Sequence, residues 1–120
     1  MNRRIFMKLA GLSLASFTLP LSWQKPLRAD ALFETIFGDP RRAALVGLAC
    51  QRQDRSAGAR GQALTAELAA IPGHAREEHL RERALDDLSK LDIVVVDGWV
   101  MARSEADLCA AVHLDLRAAA

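Results

Sequence analysis

The sequence predicts a mainly α-helical fold: a small domain of four or five helices with one β-hairpin near the C-terminus, after a short apolar N-terminal helix. Three observations predict it. From Asp30 onward apolar residues recur at helical spacing through most of the chain. Gly38-Asp39-Pro40 and Pro72-Gly73 cut that pattern into short segments. Late in the chain the period changes, and two β-branched runs flank Asp97-Gly98.

Taken in order, Leu32, Phe33, Ile36 and Phe37 form an apolar stripe that Gly38 stops, which predicts a short helix over 30–37. Asp39-Pro40 then supplies an N-cap and a first-turn proline for a second helix reaching about Gln51. Its expected buried face is Ala44, Leu45, Leu48 and Ala49. Gly47 in its middle costs up to ~1 kcal/mol against Ala, so either close packing offsets it or the helix is locally weak. Residues 52–61 are polar, include Gly58 and Gly61, and read as a surface loop. Leu64, Leu68 and Ile71 mark a third helix.

A fourth helix is expected over 75–91, with Leu80, Ala84, Leu88 and Leu91 on the core face. Glu77–Arg81, Arg83–Asp87 and Asp86–Lys90 stand at i, i+4 on its other side. Ile93-Val94-Val95-Val96 and Trp99-Val100-Met101-Ala102 around Asp97-Gly98 predict a hairpin with a type I′ turn. Ser104 with Asp107 approximates a capping box for a last helix that buries Leu108, Cys109, Val112 and Leu116.

The 120 residues allow one small domain and exclude a two-domain cofactor enzyme. Their net charge of +1 conceals a division. Arg3, Arg4, Lys8, Lys25 and Arg28 precede the first acidic residue, Asp30, so this head carries +5 and the rest −4. An acidic body argues against nucleic-acid binding. Between the basic start and the body, Leu9 to Ser22 is an apolar run of 14 residues, against about 20 needed for a permanent membrane span.

The segment Asn2-Arg3-Arg4-Ile5-Phe6-Met7-Lys8 before that run resembles the twin-arginine signal of the Tat export pathway, Ser/Thr-Arg-Arg-x-Phe-Leu-Lys. Arg3, Arg4, Phe6 and Lys8 match; Asn2 and Met7 replace Ser/Thr and Leu. The resemblance implies a signal helix over 1–31 with cleavage after Ala31 at Ala29-Asp30-Ala31, and a helical domain over 32–120. It implies a periplasmic location, or an uncleaved signal held at the membrane, and the Tat translocase as a transient partner. Tat cargo crosses folded, carrying a cofactor or travelling with a partner that does.

The layout also resembles the small accessory subunits that escort larger periplasmic oxidoreductases, such as flavin-dependent sugar and alcohol dehydrogenases. Gly98-Trp99-Val100-Met101-Ala102-Arg103-Ser104-Glu105-Ala106-Asp107-Leu108 is similar to a Gly-Trp-Val-Leu-Ser-x-Thr-Glu-Ala-x-Leu tail of small Tat-exported proteins, with Met101, Ala102 and Ser104 departing from it. The first likeness implies a non-catalytic escort or maturation subunit whose partner is a larger co-exported enzyme; the second is to proteins of unassigned activity and implies no chemistry.

The residues themselves offer few candidates for chemistry. Cys50 and Cys109 could form a disulfide in an oxidising compartment, worth about 4 kcal/mol for a loop of roughly 60 residues. The alternative is two buried thiols that act as small hydrophobes. Cys109 and His113 stand four apart on one helix, the start of a metal or thiol site without further ligands; no metal, cofactor or catalytic residue is expected. Paired carboxylates at Glu77-Glu78 and Asp86-Asp87 diverge around a helix and cannot share a proton. Trp99, with Val100 and Met101, is the candidate partner contact, the alternative being that Trp99 seals the hairpin onto the last helix. A small binding module remains a third reading, to be recognised by an apolar pocket among the helices.

Overall fold

A computed structural model describes residues 27–119. It contains five helices, α1 (Ala29–Phe37), α2 (Pro40–Gln53), α3 (Ala57–Ala69), α4 (Gly73–Ser89) and α5 (Arg103–Ala119), with strands β1 (Ile93–Val96) and β2 (Trp99–Ala102) before the last helix. The fold is mainly helical with one antiparallel hairpin, as the periodicity indicates. The candidate signal residues Arg3, Arg4, Phe6 and Lys8 lie outside the described residues. The expected division after residue 31 falls inside α1, whose Ala29 is buried and donates its N–H to Asp115 Oδ2 on α5 at 2.6 Å.

α5 is the axis of the molecule. It packs on the other four helices, most extensively on α2 and α3. Ser104 and every residue from Ala106 to Val112 are buried, so apart from Glu105 and the partly exposed Arg103 it shows little to solvent until its last turns. Such a helix can be covered closely only where its neighbours are small. Gly47 of α2 lies against the Cys109 carbonyl, and Gly61 of α3 against the Asp107 carbonyl. Close packing therefore offsets the propensity cost of Gly47.

That same contact rotates α2 from its expected orientation. Ala43, Gly47 and Cys50 face inward, and Leu45 is 72% exposed. The stretch 52–61 is likewise no simple loop, since α3 starts at Ala57 and runs through Gly58 and Gly61. Both glycines are buried, because the space their side chains would fill belongs to Leu114, Asp107 and Ala111 of α5. Tertiary packing overrides the helix-breaking tendency of glycine here.

α4 is held by its first half. Leu80 is its one buried residue, and Leu88 and Leu91, expected in the core, stand in solvent. Two of its expected ion pairs form, Arg81–Glu77 and Lys90–Asp86. Arg83 instead reaches Glu67 of α3 at 2.7 Å, and Asp87 accepts the Ser104 N–H at 2.7 Å. The latter contact replaces the expected capping box. Arg103 already opens α5, its N–H bonded to the Asp92 carbonyl, and Glu105 rather than Asp107 reaches back, accepting from Ala102 N–H at 3.3 Å. Strand thus passes into helix with no loop between them.

Candidate interaction site

The hairpin turns on Asp97 and Gly98, with φ of +49° and +81°, the two left-handed positions that a type I′ turn requires. Glycine meets that demand freely and aspartate tolerates it, which is why this dipeptide nucleates the turn. Val96 pairs with Trp99, Val95 with Val100, Val94 with Met101 and Ile93 with Ala102. Val94 and Val96 are buried against Cys50, Ala57, Ala106 and Ala110, with Met101 packed beside them. A lone hairpin is marginal in water, and this buried face is what fixes it to α2 and α5.

Side chains also hold the outer edge of β1. Gln53 of α2 donates to the Val95 carbonyl at 2.9 Å, and Arg103 donates to the Ile93 carbonyl at 3.5 Å. The hairpin is therefore a mounted element rather than a loose flap. Its outward side is apolar: Val95 and Val100 stand opposite each other and are 52% and 59% exposed. Trp99, at the tip, is 77% exposed, so it does not seal the hairpin onto α5. Met101 behaves differently from its two neighbours, since it is half-buried and packs into the core. The three residues singled out by sequence are thus two surface groups and one core group.

Cys50 and Cys109 lie on the facing helices α2 and α5 as free thiols. Burial pushes both above the usual thiol range, Cys109 to about 12, with the neighbouring Cys50 and Glu105 adding to the effect. At neutral pH such a thiol is protonated, which makes it a poor nucleophile. His113 is half-buried one turn further along α5. Among the described residues, no group of three His, Cys, Asp or Glu side chains comes together.

The strongest buried electrostatic feature was not visible in the sequence. Arg60 of α3 grips Asp107 of α5 through two hydrogen bonds of 3.0 Å and also reaches Asp54 at 2.6 Å. Asp107 is 7% exposed, and burial raises its carboxyl pKa against the opposing pull of Arg60. Nothing in local spacing announces this pair, because 47 residues separate its members. An aspartate set directly before the apolar run Leu108 to Val112 was the available signal. Ser104 Oγ, on the turn below, has no hydrogen-bond partner among the described residues.

Between α1, α4 and α5 lies an open cavity of about 220 Å³, lined by Phe33, Phe37, Leu80, Met101, Leu108 and Cys109, with Glu105 at its edge. No helix among the described residues is long and apolar enough to cross a membrane. In comparisons with known proteins, no family model, curated protein or solved structure matches the chain.

Proposed function

We propose that this chain is a small subunit exported by the twin-arginine route, without a catalytic role of its own, that escorts or matures a larger periplasmic redox enzyme. The reading is carried by one conjunction. A twin-arginine sequence, Arg3-Arg4-Ile5-Phe6-Met7-Lys8, heads a chain whose folded part displays Trp99 and Val100 to solvent on a firmly mounted hairpin. Export in the folded state suits a protein that leaves the cytoplasm already bound to its cargo. Exposed apolar groups on a rigid element suit one that spends its working life bound. Burial that keeps the Cys109 thiol protonated gives little support to the alternative of a thiol nucleophile activated by His113.

A second reading, a small binding module, is favoured by the cavity of about 220 Å³ among the helices. That volume suits a small apolar molecule and lies below the usual range for drug-sized ligands. Isolation from the periplasm separates the two readings. An escort purifies with a redox enzyme that lacks a signal of its own, and deleting the escort strands that enzyme in the cytoplasm. A monomer whose deletion leaves all export intact contradicts the proposal.

A further inference from the structure

We infer that two copies of this chain pair about a twofold axis, the Trp99 indole of each entering the apolar cavity between α1, α4 and α5 of the other. The inference is independent of the escort reading. The pair leaves Val95 and Val100, on the other side of the pleat, free for a further partner.

Projection and cavity lie side by side. Trp99 stands across from buried Val96, and Met101 stands across from buried Val94, so both belong to one side of the hairpin. Met101 lines the cavity, together with Phe33, Phe37 and Leu80. The strand rise sets Trp99 about 7 Å further along β2, at the turn, where it is 77% exposed. A face that carries a projection beside a recess is complementary to itself. A twofold axis lying in the contact plane, between the two features, sets each indole opposite the other copy's recess.

The lining suits an indole. Phe33 and Phe37, with ring centroids 4.9 Å apart and planes tilted by 43°, offer faces and edges to a third ring. The Met101 thioether adds a soft, adaptable contact. A buried indole N–H needs an acceptor. Glu105 stands exposed at the edge of the cavity; its Oε1 accepts the Ala102 N–H, and its Oε2 carries no hydrogen bond among the described residues.

A second copy is singled out because it removes both features from water at once. A foreign protein that encloses Trp99 leaves the cavity and the 54% exposed Phe37 wet, and a small molecule that fills the cavity leaves Trp99 wet. Trp99 and Phe37 together expose on the order of 300 Å² of aromatic surface per copy, about a third of what each partner in a stable pair contributes. The stripe of Leu80, Ala84 and half-exposed Leu88 extends that surface along α4, which packs against β2. Buried aromatic anchors at the centre of a contact carry most of its binding energy.

Sedimentation equilibrium of the full chain tests the pairing with two variants at exposed positions. Trp99→Ala removes the projection and keeps the recess; Phe37→Glu keeps the projection and spoils the recess. We expect the parent to be a dimer. Each variant alone should dissociate about a thousandfold more readily, because a contact worth about thirtyfold is lost twice. Mixed in equal amounts, the variants retain one intact contact, the indole of the Phe37→Glu copy in the recess of the Trp99→Ala copy. They should then pair only about thirtyfold more weakly than the parent, a recovery that also shows both variants to be folded.

A monomeric parent, as a cavity filled by a small apolar molecule would give, overturns the inference. So does a Trp99→Ala or Phe37→Glu protein that dimerises as tightly as the parent, which places the contact elsewhere. A mixture that pairs no better than its separate components overturns the reciprocal geometry and the inference with it.

Discussion

Replacing Gly47 by alanine sets two physical effects against each other, and the packing of α2 on α5 decides the sign. Helix propensity alone favours the change by up to ~1 kcal/mol, because Gly47 sits in the interior of α2. Yet a Cβ there would overlap the Cys109 carbonyl and come within 2.9 Å of the Ala110 nitrogen, where ordinary contacts need about 3.5 Å. Both obstacles are backbone, so no rotamer change relieves them. The helices must separate, and Ala43, Cys50, Ala110 and Ala111 lose contact together. Overpacking of this kind costs about 3 kcal/mol, so the net loss is about 2 kcal/mol. At a slope of about 1 kcal/mol per molar urea, the midpoint falls by about 2 M. Urea unfolding of the full chain, followed by far-UV circular dichroism, measures it. Gly73→Ala is the control, since its Cβ would meet only Arg76 Nη1 at 3.8 Å, and stability should change by less than about 0.5 kcal/mol. A Gly47→Ala protein as stable as the parent, with an unchanged slope, refutes the claim that α5 is packed directly against glycine.

Three further outcomes follow from the same contacts. Arg60→Ala leaves the Asp107 carboxylate buried without its partner, and should cost about 2–4 kcal/mol at pH 7, with the 41% exposure of Arg60 favouring the lower figure. Asp107 has a folded pKa already raised by burial, and losing Arg60 raises it further. The penalty should therefore be full at neutral pH and shrink as acid protonates Asp107, which urea unfolding at a series of pH values will show; a deficit that grows toward low pH is the wrong sign. If the thiols remain unpaired after export, both Cys50 and Cys109 should alkylate without reductant once the chain is unfolded, and Cys109 only slowly in the native state; mass spectrometry that finds a mass two hydrogen atoms short and no alkylation before reduction establishes the disulfide instead. Finally, because Ala29 is buried and bonded to Asp115, any mature N-terminus of a chain exported folded should lie at or before Leu27, and sequencing that begins at Leu32 contradicts this.

Local chemistry explains which parts of the fold were legible. The Asp97-Gly98 turn needs two left-handed residues in succession, and Asp39-Pro40 at a helix start carries its own cap and fixed φ; neither depends on what lies across the molecule. Indeed Asp39 accepts the Arg41 N–H at 3.0 Å, as a capping residue does. The misread elements depend on α5 instead. Gly58 and Gly61 look like a loop until α5 occupies the space above them, with the Leu114 side chain over Gly58 and the Asp107 backbone over Gly61. Leu45 looks like core until Gly47 draws the opposite side of α2 inward. Leu88 and Leu91 continue the apolar stripe of Leu80, but no helix among the described residues covers them, and they stand exposed at the end of α4 and before β1.

The candidate site divides along the same line. Trp99 and Val100 stand out in sequence because an indole and a β-branched residue beside a tight turn are costly to expose, and they are exposed. Met101, next in the chain, was indistinguishable by composition; the pleat turns it inward across from buried Val94, whereas Trp99, on the same side of the pleat, stands at the turn and is 77% exposed. The Arg60–Asp107 pair needed the packing of α3 on α5 before it could be seen.

The central claim is that one export address serves two proteins. Changing Arg3 and Arg4 to lysine in the full chain, and following in the periplasm both this chain and the redox enzyme that the proposal requires to co-purify with it, tests it directly. The account requires both to disappear from the periplasm and accumulate, folded, in the cytoplasm. An enzyme that still reaches the periplasm while this chain does not would contradict it.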